Sequence, residues 1–162
     1  MTKQREPSSA DSKGNLFMSA KELRAYADKI DTARASKASG NMKVAEDARK
    51  KLLDKLSRPL TITEEMRVSF RIQVRQAAED GKTELMVLQF PVELCTDTGR
   101  AINNNEPDWP ETLTGVPRQL FELWRERMKP EGYRLTAMIV EWPHGMPGDV
   151  GLFLSWREVR AR

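Results

Sequence analysis

Residues 83–91, Thr-Glu-Leu-Met-Val-Leu-Gln-Phe-Pro, are the stretch that decides the fold. Five of its side chains are apolar, and Pro91 ends the run. A short apolar run of this kind is typical of a strand that is covered on both faces of a sheet. The chain is therefore expected to place this strand at the centre of a sheet, with helices packed against it.

The segment before this strand, residues 59–82, admits two interpretations. A threonine cap at Thr61 or Thr63, acidic residues in the first turn and Gly81 beyond the end predict a helix over 64–80. The apolar residues from 68 to 74 alternate with polar ones, which is a strand pattern. The start and stop signals favour the helix, and a strand over 66–75 remains the alternative.

The segment after the strand predicts one helix and two more strands. Thr114 caps a helix over 114–129, in which Pro117 falls in the tolerated first turn. Residues 134–142 and 150–156 are expected to be strands. The predicted fold class is α+β: a small three-stranded mixed sheet packed by helices, with the first two strands parallel through a right-handed crossover and the last two forming a hairpin.

An amphipathic helical arm is expected to precede this domain. Ser19 and Glu22 form a capping-box pattern that predicts a helix start. Gly40 and Asn41 are a stop and a new cap, so the arm is either a helical hairpin or one kinked helix. The expected organisation is a disordered tail over 1–15, a basic helical arm over 16–58 and a compact α+β domain over 59–162.

Charge and aromatic residues follow the same division. Residues 1–58 contain 14 Lys and Arg against 8 Asp and Glu, a net charge of +6, whereas residues 59–162 contain 13 against 16, a net charge of −3. The single cysteine, Cys95, excludes an intramolecular disulfide and a zinc site with several thiolates. The N-terminus has no apolar run after its charges, and no apolar stretch is long enough to span a bilayer. These observations predict a cytoplasmic protein without a membrane partner.

The loop over 95–110 and the turn over 143–149 are the candidate ligand site. The loop is long, polar and follows the apolar strand, and sheet ends of this kind often collect ligands. The same residue types also form turns, which is the alternative explanation. The candidate ligand-binding residues are Asp97, Arg100, Asn103, Asn104, Glu106, Asp108, Trp109, His144 and Asp149.

Sequence patterns give no support for a metal, a cofactor or a catalytic residue. The loop carboxylates match no known metal-binding spacing. Nothing places Cys95 and His144 together as a nucleophile and base, and each has an ordinary structural explanation. The glycines over 145–151 precede a strand rather than a helix, so they are typical of a turn and not of a phosphate-binding loop.

A basic row is the other candidate surface. Arg67, Arg71 and Arg75 share one side of the segment whether it is a helix or a strand, so they are a candidate contact for a polyanion or an acidic partner. Their alternative is a solvated face that nearby glutamates neutralise. Further candidates of this kind lie in the arm, at Arg49, Lys50, Lys51 and Lys55.

Three functions are compatible with these patterns, which favour the first over the second and the second over the third. The first is a non-enzymatic interaction module that binds a protein partner or forms a homo-oligomer through the arm. The second is association with nucleic acid through the arm and the arginine row. The third is a small-molecule binding or enzymatic site on the 95–110 loop.

Overall fold

The structure is a computed structural model that describes residues 18–158, so the predicted tail over 1–15 lies outside the described residues. Contacts divide the chain into two compact units, one up to Asp47 and one from Ala48 onwards. The predicted boundaries of the arm and the domain stay predictions. The helices are α1 (Ala20–Leu56), α2 (Glu64–Glu79), α3 (Arg100–Asn103) and α4 (Gly115–Leu123), and the strands are β1 (Glu84–Pro91), β2 (Arg134–Glu141) and β3 (Asp149–Ser155).

Helix α1 begins at the predicted capping box, which is confirmed. The Glu22 amide donates to Ser19 Oγ, and the Ser19 amide donates to the Glu22 carboxylate, each at 3.1 Å. Of the two expected forms of the arm, a hairpin or one kinked helix, the hairpin is wrong, because α1 continues through Gly40 and Asn41 as one helix. One glycine in a helix interior costs only about 1 kcal/mol, which the alanine-rich flanking turns offset. Within residues 18–158, no helix combines the length and the apolar character that crossing a membrane requires.

Residues 64–79 form a helix, α2, which confirms that the capping signals, and not the alternation of apolar and polar residues, determine the secondary structure of this segment. Thr63 Oγ1 accepts a hydrogen bond from the Met66 amide at 3.2 Å. At the other end Gly81 takes φ +80°, a left-handed conformation that glycine adopts without strain. The local start and stop signals therefore outweigh the strand-like pattern between them.

The alternating apolar residues of α2 divide between two faces of the helix. Ala77 is buried and Phe70 and Val74 are half-buried, whereas Val68 and Ile72 remain 43% and 60% exposed. A strand would have placed Val68, Phe70, Ile72 and Val74 on one face. The helix instead leaves two large apolar side chains in solvent.

The α+β class and the three strands are confirmed, but the sheet is antiparallel and not mixed. The strand order is β1-β3-β2, and both pairings are antiparallel. Strands β1 and β2 run in the same direction, but β3 lies between them, so the predicted adjacent parallel pair does not form. Strand β3 lies at the centre, and its Val150, Leu152 and Leu154 are at most 1% exposed.

The core of the unit from Ala48 onwards lies on one face of this sheet. Phe90 and the buried side chains of β3 pack with Val116 of α4 and with Leu56, the last residue of α1. Gly115 allows the close approach of α4 to the end of α1. It takes φ +60°, and a Cβ at this position would overlap the Leu56 carbonyl oxygen and lie 3.0 Å from backbone atoms of Ser57. This packing holds α4 in place as one wall of the cleft described next.

A candidate binding cleft between two helices and the sheet

The first predicted site, the 95–110 loop, is held in shape by hydrogen bonds within the loop. Asp97 is the organising residue, because its carboxylate accepts from the amides of Gly99 at 3.0 Å and Ala101 at 2.8 Å. These bonds close the turn that leads into α3, in which Thr98 and Gly99 take φ of +58° and +83°. The carboxylate therefore has a structural role that resembles an N-cap.

The other candidates of this loop lie at the surface or against the core. Trp109 is half-buried and meets Phe121 edge to face, with ring centroids 6.0 Å apart. Glu106 is half-buried as well. The exposed candidates are Arg100, Asn103, Asn104 and Asp108. Their predicted role in ligand binding stays a prediction.

Cys95 and His144 have different environments. Cys95 is buried, and its backbone forms an isolated β-bridge with that of Leu113. Burial raises the pKa of its thiol to about 11. A protonated thiol is a poor nucleophile. His144 is exposed in the turn after β2, with φ +54°. Among residues 18–158, no three His, Cys, Asp or Glu side chains are grouped closely enough to hold a metal ion.

Arg49, one of the arm candidates, ion-pairs inside the unit that begins at Ala48. Its guanidinium donates to Asp149 Oδ1 at 3.0 Å, to Glu93 at 2.7 and 2.9 Å, and to the Gly148 carbonyl at 2.9 Å. Asp149, another candidate, also accepts from Gln89 Nε2 at 3.0 Å. Burial alone would lower the pKa of Arg49, but these carboxylates together raise it. Arg49 thus joins the last turns of α1 to the start of β3.

The remaining arm candidates, Lys50, Lys51 and Lys55, are exposed. Arg75 of the arginine row is exposed as well. Arg67 and Arg71 have a different position, because they border a cavity that the sequence did not predict.

This cavity is a cleft of about 520 Å³ between α2, α4 and β1. Most of its lining is apolar. The apolar lining residues are Leu60, Ile62, Met66, Phe70, Val87, Leu88, Val116, Leu120, Leu123 and Met128, and the polar ones are Arg67, Arg71, Gln119 and Arg127. We call this set of residues the α2–α4 cleft.

A β-bulge provides the floor of the α2–α4 cleft. Consecutive strand residues normally point to opposite faces. The pairing of β1 with β3 shifts between Met86 and Leu88, so Val87 is the extra residue. A bulge re-aims side chains locally, and here both Val87 and Leu88 line the cleft.

Gln119 of α4 holds one wall of the cleft in place. Its side-chain amide donates to the Leu60 carbonyl at 2.6 Å, and its carbonyl accepts from the Leu60 amide at 2.8 Å. This pair of hydrogen bonds fixes the segment between α1 and α2, so that Leu60 and Ile62 face the cleft. Beyond Leu123 the chain continues as a π-helical turn, Trp124–Met128, which supplies two further lining residues.

Three arginines border this apolar surface. Glu64 is the acidic neighbour of two of them, at 3.9 Å from Arg67 and 3.8 Å from Arg71. These distances exceed those of hydrogen bonds, and the side chains are exposed, so the pairs are weak. Among the described residues, no carboxylate lies within 4.0 Å of Arg127. The cleft therefore combines an apolar interior with positive charge.

The residues that line the cleft are suited to holding a ligand. The described lining residues include no carboxylate, histidine, cysteine, serine or threonine. Arginine stays protonated, so it can hold an anion but cannot act as a general base. Sequence patterns identified Arg67 and Arg71, but they did not reveal Leu60, Ile62 or Arg127, because nothing local shows that four separate segments meet.

Comparison with known proteins adds no family to these observations. No protein-family model matches the chain, and neither the curated proteins nor the solved structures give a match.

Proposed function

We propose that the protein is a non-enzymatic binding module and that the α2–α4 cleft is its binding surface. One observation supports this proposal above the others: an apolar cleft of about 520 Å³ that the surrounding side chains leave unfilled. Ligand-binding pockets typically enclose about 300 to 1,000 Å³ and are mostly apolar with a few polar groups. The α2–α4 cleft meets each of these criteria.

The proposed ligand belongs to a protein partner in the cytoplasm. Arg75 extends the arginine row of α2 beyond the cleft, which favours a ligand larger than a small molecule. A reducing cytoplasm suits the buried thiol of Cys95. Self-association through the arm is a separate prediction, which light scattering of the full chain at several concentrations would test.

A fluorescent apolar anion, 1-anilinonaphthalene-8-sulfonate, is a suitable probe of the cleft. We expect saturable binding of this probe to the folded protein. Met66→Trp should abolish it, because Met66 lines the cleft and the larger indole would occupy part of the cavity. Ile72→Trp is the matched control, since Ile72 lies on the same helix but is not among the cleft-lining residues.

The comparison of the two tryptophan variants decides the result. Near-ultraviolet circular dichroism would confirm that both variants keep native packing, since this probe also binds loosely packed states. Loss of binding in Met66→Trp alone would support the proposal. Equal binding to both variants, or no binding to the wild type, would contradict it.

A further inference from the structure

We propose that the ligand of the α2–α4 cleft is an acidic amphipathic helix of the partner protein, which inserts apolar side chains into the cleft and presents carboxylates to the arginines. This inference rests on the proposed function and names the ligand class of the same site. Helix-in-groove binding is a common mode of peptide recognition, in which residues at i, i+3, i+4 and i+7 anchor the ligand.

The length of the arginine row favours a ligand with several negative charges. Arg67, Arg71 and Arg75 lie about one helical turn apart on α2, so the row extends over eight residue steps, or about 12 Å along the helix axis. Arg67 and Arg71 line the cleft, while Arg75 lies beyond it. A single carboxylate can engage one or two of these groups. A helix with acidic residues on successive turns can engage the whole row.

The state of the guanidinium groups also favours an anionic ligand. Glu64 contacts Arg67 and Arg71 only at ion-pair distances of 3.8 to 3.9 Å, and its side chain is 69% exposed. Each arginine thus keeps donors that a carboxylate could engage. Guanidinium groups bind carboxylates through paired hydrogen bonds that are shorter and stronger than these contacts.

The apolar surface has the properties of a helix-binding groove. Met66 and Met128 line it, and methionine side chains adapt to varied apolar partners. A helix lying in the cleft would contact both methionines together with the arginine row.

Nucleic acid and lipid fit the described surface less well. Phe70 is the one aromatic residue among the described cleft-lining residues, and it is half-buried, whereas single-stranded nucleic acids are usually bound by stacking on exposed aromatic rings. A fatty acid carries one carboxylate and would leave Arg75, which lies outside the cleft, without a partner.

The test is a selection from a displayed library of random helical peptides of about 16 residues. The full chain is the bait, and the Met66→Trp variant serves for counter-selection. We expect the enriched peptides to have apolar residues at helical spacing and a net negative charge. Arg71→Glu should weaken a selected peptide by at least about tenfold, whereas Arg134→Glu, an exposed control on β2, should leave its affinity unchanged.

Each outcome of the selection bears on the inference. Enriched peptides that are neutral or basic, or the absence of any enrichment over the Met66→Trp variant, would overturn it. Laurate and a 15-nucleotide single-stranded DNA are tested in parallel, and tighter binding of either than of every selected peptide would also overturn it. If the fluorescent anion still occupies the cleft, the proposed function stands and only the ligand class is wrong; if it does not, both fail.

Discussion

Replacement of Gly115 by alanine should destabilise the unit from Ala48 onwards. Two costs combine at this position. Alanine at φ +60° costs about 1 to 2 kcal/mol in the left-handed region. The added Cβ would also overlap the Leu56 carbonyl oxygen and approach Ser57 to 3.0 Å, so the end of α1 and the start of α4 must separate, at an overpacking cost of about 1 to 3 kcal/mol.

Gly132→Ala is the matched control for this prediction. Gly132 also has a positive φ, +93°, but a Cβ there would meet nothing within 4 Å. It should therefore show the conformational cost alone, about 1 to 2 kcal/mol. Urea unfolding of both variants measures the free energies, and the expected difference between them is about 1 to 3 kcal/mol. Equal free energies of unfolding would refute the close approach of α1 and α4.

Three further predictions follow from other contacts. Gly40→Ala should increase amide protection in the middle of α1, because alanine is favoured over glycine in a helix by about 1 kcal/mol and the added Cβ would meet no other part of the protein within 4 Å. Unchanged hydrogen exchange would contradict a continuous helix. Arg49→Gln should cost about 1 to 3 kcal/mol in urea unfolding, because Asp149 is only 15% exposed and would lose its ion pair, and Glu93→Gln, at a site 47% exposed, should cost less. The pKa of the Cys95 thiol is about 11 in the folded chain against its ordinary value of 9.0, so the contribution of this thiol to stability is complete below pH 9 and is lost as pH rises through 11. The free energy of unfolding of Cys95→Ala should therefore fall less steeply with pH over this range than that of the wild type. Identical slopes would contradict a buried thiol.

Local signals were sufficient for helix α2, because the interactions that bound it are short in sequence. Thr63 and Gly81 bound α2, and the hydrogen bond between Thr63 and the Met66 amide confirms the cap. Gly40 shows the limit of such signals. A glycine ends a helix only when its neighbours favour a turn, and here the flanking residues favour continuation.

Strand order was not accessible from the same patterns. The apolar run of β1 suggested a central strand, but centrality depends on how much surface each strand buries against distant residues. Strand β3 lies at the centre and separates β1 from β2, and its Leu152 and Leu154 are almost completely buried. Pairing between segments far apart in the chain is what single-sequence patterns specify least.

The cleft was only partly predictable, for a similar reason. The spacing of Arg67 and Arg71 placed them on one side of α2, which the structure shows at the cleft. Arg127 joins them from a π-helical turn 56 residues after Arg71, and the β-bulge that turns Val87 inward has no sequence signature of its own. Such a site forms only when the sheet and both helices are assembled.

The position of the bound anion probe tests most directly whether the α2–α4 cleft is the binding surface. Intermolecular nuclear Overhauser effects between 1-anilinonaphthalene-8-sulfonate and methyl-labelled protein would locate it. Binding in the α2–α4 cleft predicts cross-peaks to the methyl groups of Val87, Leu120 and Leu123, which line the cleft. Cross-peaks confined to Met86 and Met138, which are exposed and lie outside the cleft, would contradict it.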